Sequence, residues 1–483
     1  MSDHVIGLDL SCNKLKGELH PNSIIFQLRH LQQLNLAFNN FSGSSMPIGV
    51  GDLVKLTHLN TSYCNLNGNI PSTISHLSKL VSLDLSFNFV ELDSLTWKKL
   101  IHNATNLREL HLNIVNMSSL RESSLSMLKN LSSSLVSLSL SETELQGNLS
   151  SDILSLPNLQ RLDLSFNQNL SGQLPKSNWS TPLRYLVLSS SAFSGEIPYS
   201  IGQLKYLTRL DFSRCNLDGM VPLSLWNLTQ LTYLDLSFNK LNGEISPLLS
   251  NLKHLIHCDL GFNNFSSSIP IVYGNLIKLE YLALSSNNLT GQVPSSLFHL
   301  PHLSHLYLSS NKLVGPIPIE ITKRSKLSYV FLGDNMLNGT IPHWCYSLPS
   351  LLELYLSNNN LTGFIGEFST YSLQYLDLSN NHLTGFIARN LKRLYLSNNN
   401  IRGKIPKWFH KKLLNSWKDI QYLDLSFNKL QGDLPIPPSG IEYFSLSNNN
   451  FTGYISSTFC NDTFLQHSAM PVPFMCSIWL TTI

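Results

Sequence analysis

Leucines recur along the chain in a fixed pattern that ends on asparagine, as in LTYLDLSFN ending at Asn239 and LSHLYLSSN ending at Asn311. Two leucines that are one residue apart, such as Leu234 and Leu236, point to the same side only if the segment is extended. The end marker, an asparagine or a small substitute, falls mostly at steps of twenty-four residues between positions 143 and 359. Each unit therefore predicts one short strand that is buried on one face and open on the other.

The order of these strands predicts how they stack. Every strand enters with the same polarity after a return segment of about twenty residues, so we expect neighbouring strands to pair in parallel. Stacking then buries leucines that no single repeat could cover. We expect one continuous solenoid over residues 1–459 with about nineteen repeats, irregular at 89–143 and 381–428, followed by a non-repeat tail at 460–483.

The asparagine that ends each unit lies where the backbone leaves the strand. Its amide can both donate to and accept from the main chain of adjacent repeats, and so can pair groups that would otherwise be buried without a partner. Cys64, Thr143, Ser191 and Cys215 replace it in their repeats. The predicted structural ladder consists of Asn167, Asn239, Asn263, Asn287, Asn311, Asn335 and Asn359.

A second motif follows the asparagine, as in LNGEI at 241–245 and LNGTIP at 337–342. With these residues the chain resembles the plant-specific class of extracellular leucine-rich repeats, whose pattern adds GxIP after LxLxxNxL. The resemblance implies an α/β solenoid, a leucine-rich-repeat superhelix with a parallel β-sheet on its concave face. It also implies 3-10 or short helices and second short strands on the convex side.

The resemblance covers nearly the whole chain and is strongest to the ectodomain of a receptor-like protein, a class with one membrane span and no kinase. Receptor-kinase ectodomains are nearly indistinguishable over this region. The resemblance implies a place on the extracellular side of the plasma membrane and a peptide, protein or glycan ligand. It also implies signal transduction through partner receptor kinases, as co-receptors, in plant immunity or development. The stretch Met470 to Ile483 is apolar but too short to span a bilayer, so we expect no membrane span in this chain.

Composition points to a glycoprotein. Charged residues make up 13% of the chain, against about a quarter in typical globular domains, so something other than charge must keep the surface soluble. The N-x-[ST] acceptor recurs, and dense glycosylation is the predicted answer, although a repeat rich in Asn and Ser also creates such acceptors by chance. The predicted sites are Asn103, Asn227, Asn264, Asn288, Asn338 and Asn360.

Several classes of function lack their motifs. The sequence has no P-loop, nucleophile elbow or protein-kinase motif set, so we predict neither an enzyme nor a cofactor. His299, His302 and His305 are spaced by three residues, but this spacing alternates faces on a strand, so no metal site is predicted. The net charge is only +3, without a basic nucleic-acid module, which excludes nucleic acid as an expected partner. Of the seven cysteines, only Cys460 and Cys476 are candidates for a disulfide.

The open face of the predicted sheet is the candidate binding surface. The residue before each leucine pair is often Tyr, His or Arg, and the residue between the leucines changes from acidic to aromatic midway along the chain. Tyrosine and arginine are favoured at interfaces, but tyrosines can also serve cross-strand packing, and both interpretations stay open. The predicted ligand-binding residues are Tyr233, His257, Tyr281, His305, Tyr307, Tyr329, Phe331 and Tyr355, the best patch being Tyr281 to Tyr355.

Two further interpretations stay open. A secreted inhibitor of cell-wall-degrading enzymes, similar to the polygalacturonase-inhibiting proteins, would need no membrane segment, although those proteins are shorter and carry paired cysteines at both ends. A truncated, non-functional product is the other. Separately, the eighteen-residue spacing between Asn381 and Asn399 is expected to be too short for a full turn and to mark a deletion or splice join near Ile387.

Overall fold

Each leucine pair forms a three-residue strand in the computed structural model, which describes residues 4–131, 133–177, 179, 181–366, 372–385, 391–405, 420–435, 437 and 441–453. The chain divides into two units, Met1–Gly243 and Glu244–Ile483. In each unit the strands pair in parallel, and the leucines between them are buried. The predicted α/β solenoid built from leucine-rich repeats is therefore confirmed. The prediction of one continuous core over residues 1–459 stays a prediction.

The strands that carry the leucine pairs are called the front strands here. In the first unit the described front strands are Gly7–Asp9, Gln33–Asn35, His58–Asn60, Ser82–Asp84, Glu109–His111, Ser137–Ser139, Arg161–Asp163, Tyr185–Val187, Arg209–Asp211 and Tyr233–Asp235. In the second unit they are His257–Asp259, Tyr281–Ala283, His305–Tyr307, Tyr329–Phe331, Glu353–Tyr355, Tyr375–Asp377, Arg393–Tyr395, Tyr422–Asp424 and Tyr443–Ser445. Equivalent residues of successive repeats are paired, for example His305 with Tyr329, so each position of the repeat forms a column across the sheet.

A second set of short strands follows the asparagine of many repeats, and we call these the rear strands. They are Asn67–Asn69, Phe89–Glu91, Gln146–Leu149, Asn169–Gly172, Ala192–Glu196, Asn216–Met220 and Lys240–Glu244, then Asn264–Ser268, Asn288–Thr290, Val314–Pro316, Met336–Thr340, Asn360–Gly363, His382–Leu383, Arg402–Lys404, Lys429–Asp433 and Asn450–Thr452. Glycines such as Gly219 and Gly339 have φ values of 72° and 77° in these strands, a conformation that favours glycine.

Short helices make up most of the remaining return segments. The 3-10 helices are Ile24–Gln27, Ile48–Asp52, Ser72–His76, Ser126–Leu131, Tyr199–Gln203, Leu223–Asn227, Pro247–Asn251, Ile271–Asn275 and Ser295–His299, and the α-helices are Ser94–Asn103, Glu122–Leu125, Ser151–Leu154 and Trp344–Ser347. Asp93 caps the longest of these, because its side chain accepts hydrogen bonds from the Leu95 and Thr96 amides. Within the described ranges, no helix combines the length and the apolar character that crossing a membrane requires.

The asparagines at the ends of the front strands join successive repeats. The Asn167 side chain is 1% exposed, and its Nδ2 donates to Leu140 O of the preceding repeat at 2.8 Å and to Leu164 O at 2.9 Å. Its Oδ1 accepts from the backbone N–H of Thr143 and Leu145. Thr143, a natural substitute, keeps part of this pattern, since its hydroxyl donates to Leu140 O at 2.9 Å. Asn167 therefore pairs buried backbone groups of two repeats that water cannot reach.

The short repeat near the end of the second unit still completes its turn. Tyr375–Asp377 pairs in register with Arg393–Tyr395, and Asn399 Nδ2 donates to Leu378 O at 3.0 Å. The expectation that eighteen residues are too few is therefore wrong, because the front strand and its asparagine keep their places while the return segment shortens. The suggested join near Ile387, the Cys460–Cys476 pair and the tail at 460–483 lie outside the described residues.

Candidate ligand-binding face

The front strands of the second unit bring most of the predicted binding residues together. In the first column of this face, the ring centroids of His257 and Tyr281 are 4.2 Å apart, and those of His305 and Tyr329 are 4.5 Å apart. Tyr281 and His305 are 5.6 Å apart and connect the two pairs. All four side chains are half-buried, so one side of each ring packs on its neighbours while the remainder stays open to solvent.

A second aromatic column runs beside the first. The ring centroids of Tyr307 and Phe331 are 4.8 Å apart, and those of Phe331 and Tyr355 are 4.3 Å apart. Tyr281 lies 5.4 Å from Tyr307 and joins the two columns. We call this set, from His257 to Tyr355 in the two columns, the aromatic patch. Stacked and tilted rings at these distances stabilise one another and leave edges and hydroxyl groups for a ligand.

Burial favours the neutral form of three side chains of the aromatic patch. It raises the pKa of the Tyr355 phenol to about 12, and the charge of Glu353 adds to the shift. Burial and Glu353 also raise the pKa of Tyr307. Burial lowers the pKa of His305, a shift that the charge of Glu280 partly opposes. At neutral pH, His305, Tyr307 and Tyr355 therefore offer uncharged rings, with the carboxylate of Glu353 at their side.

Tyr233, the remaining predicted binding residue, belongs to the first unit and to a different environment. The Arg209 guanidinium lies over the Tyr233 ring at 3.7 Å and over the Tyr185 ring at 5.5 Å. The Arg161 guanidinium also lies over the Tyr185 ring, 3.9 Å from its centroid. Arginines and tyrosines thus alternate along the first column, and cation–π contacts account for both residue types. The use of Tyr233 as a ligand contact stays a prediction.

The residue between the leucines has a structural role in most repeats. Asp235 Oδ1 accepts hydrogen bonds from the Ser237 backbone N–H at 2.9 Å and from its hydroxyl at 2.7 Å. The same cap of a backbone N–H two residues ahead is made by Asp9, Asn35, Asn60, Asp84, Asp163, Asp211, Asp259, Asp377 and Asp424. The acidic column is therefore a set of turn caps.

Four adjacent repeats of the second unit lack this cap, because Ala283, Tyr307, Phe331 and Tyr355 stand where the others have a capping side chain. In these repeats the backbone N–H two residues ahead, which a cap would pair, has no hydrogen-bond partner among the described residues. These four N–H groups belong to Ser285, Ser309, Gly333 and Ser357. The capped repeats of Asp259 and Asp377 lie on either side. The change from acidic to aromatic residues is visible in the sequence, but the open N–H groups are visible only in the structure.

The predicted glycosylation sites lie on the rear strands and the helices. Asn103, Asn227, Asn264, Asn338 and Asn360 are exposed, while Asn288 is half-buried. Asn103 Nδ2 donates to Ser75 O at 2.9 Å, so a glycan there would replace one proton of a bonded amide. Asn338 is the direct neighbour of Asn360 in the rear strands. Their glycosylation stays a prediction.

Comparison with known proteins agrees with this geometry. A model of the leucine-rich repeat matches residues 181–241, 250–313 and 325–383, and two related repeat models match 27–46, 55–77, 390–411, 419–441 and 440–461. Together these matches cover more than half of the sequence. The chain belongs to the leucine-rich-repeat family.

Within that family the chain belongs with the extracellular repeats of plant receptors. Receptor-like protein 6 of Arabidopsis thaliana is 41% identical over 216 residues, which is 43% of this chain and 21% of that protein. Receptor-like protein Cf-9 of Solanum pimpinellifolium is 40% identical over 206 residues, or 42% of this chain and 23% of that protein. The chain thus matches less than a quarter of the length of these curated relatives.

Solved structures extend the likeness to nearly the whole chain. The Arabidopsis receptor kinase HAESA, in complex with the peptide hormone IDA and the co-receptor SERK1, is 31% identical with a TM-score of 0.76, covering 95% of this chain and 80% of that one. The plant peptide hormone receptor RGFR1, in complex with RGF2, is 26% identical with a TM-score of 0.74. This match covers 94% of this chain and 84% of that one. The resemblance to plant leucine-rich-repeat receptors is therefore confirmed.

Proposed function

We propose that this chain is the ligand-recognition part of a plant cell-surface receptor-like protein and that the aromatic patch of the second unit binds a peptide. The observation that supports this most is the loss of the backbone cap in four adjacent repeats, where aromatic residues take over three of the four positions. The solved complexes of HAESA with IDA and of RGFR1 with RGF2 favour a peptide over a glycan as the ligand.

The lost cap favours ligand binding over cross-strand packing alone as the reason for the patch. A repeat that needs only to pack can keep Asp between its leucines and gain a cap, as the repeats of Asp259 and Asp377 do. The repeats of Tyr307, Phe331 and Tyr355 instead give up that cap and place a half-buried ring at the surface. Half-buried aromatic side chains beside open hydrogen-bond donors are the composition that binding hot spots favour.

In the whole protein, we infer, the bound peptide brings a receptor-kinase co-receptor to this ectodomain on the extracellular side of the plasma membrane. SERK1 in the HAESA complex is the precedent for such a partner. Signalling would then pass through the kinase, in defence or development.

The binding test uses the complete chain, secreted from plant cells, and a random peptide library displayed on phage. Peptides enriched on the wild-type chain are measured against Tyr307→Ala/Phe331→Ala/Tyr355→Ala, and we expect binding to weaken by about tenfold or more. The matched control is Tyr185→Ala, which removes a tyrosine from the first column of the front face in the first unit and should leave binding within about twofold. Equal losses in both variants, or no enrichment at all, would contradict the proposal.

The partner test adds the ectodomain of a SERK-type receptor kinase. We expect the enriched peptides to increase its association with the wild-type chain and not with the triple variant, measured by analytical ultracentrifugation. Association that is the same with and without peptide would exclude this mode of signalling.

A further inference from the structure

We infer that the row of open backbone N–H groups at Ser285, Ser309, Gly333 and Ser357 is the polar half of the binding site and donates to neutral carbonyl oxygens of an extended peptide. This inference rests on the proposed function and specifies the chemistry of its ligand. The aromatic patch would then hold the side chains of the peptide, while the N–H row would hold its main chain.

The capped repeats show where a ligand oxygen would lie. Asp235 Oδ1 is 2.9 Å from the Ser237 nitrogen, Asp259 Oδ1 is 2.9 Å from that of Gly261, and Asp377 Oδ1 is 3.0 Å from that of Ser379. In these repeats the N–H donates to the Oδ1 of the capping aspartate, which marks where an oxygen lies on the front face. In the repeats of Tyr307 and Tyr355, no oxygen among the described residues accepts a hydrogen bond from the same N–H.

A neutral oxygen is sufficient for this bond. Asn60 Oδ1 accepts from the Ser62 N–H at 2.9 Å, and Asn35 Oδ1 accepts from the Ala37 N–H at 3.1 Å. An amide oxygen can therefore replace a carboxylate at the cap position. Peptide carbonyl groups carry the same amide oxygen.

The surroundings favour a neutral acceptor over an anion. Glu353 lies in the first column, in register with Tyr329, and its charge raises the pKa of both Tyr307 and Tyr355. A second carboxylate placed in this field would be repelled, whereas a carbonyl would not. The hydroxyls of Ser309 and Ser357, which lack a hydrogen-bond partner in the described ranges, add donors beside the N–H groups.

The size of the row matches a short peptide segment. Neighbouring front strands are roughly 4.8 Å apart, so four donors extend over about 14 Å, the length of about four extended residues. Successive carbonyls of an extended chain point to opposite sides, so about two carbonyls of such a segment face the row. The rings of Tyr307, Phe331 and Tyr355 lie beside these donors and would exclude water from the bonds once a peptide is bound. Excluding water strengthens such hydrogen bonds.

The test separates the rings from the N–H groups at two positions, 307 and 355. In the double variant Tyr307→Ala/Tyr355→Ala the rings are lost and the N–H groups stay open. In Tyr307→Asn/Tyr355→Asn the rings are lost and the N–H groups are capped by a neutral oxygen, as Asn60 does in this chain. Tyr307→Asp/Tyr355→Asp, the Asp variant, adds a negative charge to the same cap.

With the library peptides enriched on the wild-type chain, we expect the Asn variant to bind about tenfold more weakly than the Ala variant, since two ligand bonds are lost in addition to the rings. Equal affinities of the Ala and Asn variants would overturn the inference and leave the rings as the whole site. Weaker binding by the Asp variant alone would also overturn it, because charge and not the cap would then be the cause.

A second measurement does not depend on the variants. In the wild-type chain, amide hydrogen exchange at Ser309, Gly333 and Ser357 should slow when an enriched peptide is bound, while the capped amides of Ser379 and Ser426 should not change. Unchanged exchange at the three open positions would overturn the inference. If no peptide is enriched at all, the proposed function fails, and this outcome is distinct from a failure of the N–H row.

Discussion

The two units use the same repeat for different front faces. In the first unit, Arg161 and Arg209 alternate with Tyr185 and Tyr233, and Asp163, Asp211 and Asp235 cap the following turns. In the second unit, histidines and tyrosines stack in the first column and aromatic residues replace the capping side chains in the second. The first face caps most of its turns with its own side chains, whereas the second leaves a run of four N–H groups and the rings beside them available. This difference is why we place the ligand on the second unit.

The frame behind the two faces is the same. Asn167 in the first unit and Asn335 in the second each donate to three backbone carbonyls, including one in the preceding repeat. The frame does not depend on the side chains of the front face. A repeat can therefore exchange a capping residue for an aromatic one and lose only the hydrogen bond of that cap.

The largest effect is expected from breaking this shared frame. Asn167→Ala and Asn335→Ala should each lower the free energy of unfolding of their unit by roughly 2–4 kcal/mol, since several buried backbone groups lose their partner. Urea denaturation of the whole chain checks this, with the exposed Gln230→Ala as a control that should change stability by less than about 0.5 kcal/mol. A large loss in one unit and none in the other would show that the units do not share the same frame.

A smaller effect is expected from the Arg–Tyr row of the first unit. Arg209→Lys removes the planar group between Tyr185 and Tyr233 and should cost about 1 kcal/mol of stability without changing peptide binding. Thermal unfolding and the phage-peptide assay measure the two effects. The matched control, Arg29→Lys, changes an exposed arginine. If Arg209→Lys reduced peptide binding while stability stayed constant, the first unit would also be part of the binding face.

The smallest expected effect is on the pH dependence of stability, and its sign differs between the two faces. Burial lowers the pKa of His305, so its contribution is present above the unfolded value near 6.5 and is lost as the pH falls through the folded pKa. Between about pH 7.5 and pH 5.5, the melting temperature of the wild-type chain should therefore fall more than that of His305→Gln. Equal slopes for the two proteins would contradict a neutral, buried His305.

The first unit provides the opposite case. Burial and the charge of Asp235 raise the pKa of Asp211, so its contribution is present below the unfolded value near 3.9 and is lost as the pH rises through the folded pKa. Asp211→Asn, which can keep the turn cap as Asn60 does, should flatten this part of the pH profile. A steeper profile in Asp211→Asn would show that its carboxylate is favoured by its surroundings.

Much of the frame could be predicted from the sequence. The leucine pairs place the front strands, because two apolar residues one apart can share a buried face only in an extended segment. The same spacing predicts the columns, since parallel pairing sets equivalent residues side by side, as it does for Tyr281 and His305. The asparagine ladder follows from the need to pair buried backbone groups.

The site itself was less accessible from the sequence. That Asp235 is a cap depends on the distance from its carboxylate to the Ser237 N–H, which spacing alone does not give. The open N–H groups are visible only once that cap is known. Likewise, Tyr233 and Tyr281 occupy the same position of the repeat, but Arg209 lies over the Tyr233 ring whereas His257 stacks on Tyr281. The period alone also does not show that eighteen residues between Asn381 and Asn399 keep the flanking front strands in register.

The tolerance of the fold to short and long return segments has a consequence for how such a protein can change. Eighteen residues separate Asn381 from Asn399 and twenty-nine separate Asn399 from Asn428, yet the strands Tyr375–Asp377, Arg393–Tyr395 and Tyr422–Asp424 stay in register. Insertions and deletions on the back of a repeat therefore leave the spacing between neighbouring contact points unaltered. A lineage can remodel its outer loops, or vary where sugars are attached, without shifting the footprint that a bound partner recognises.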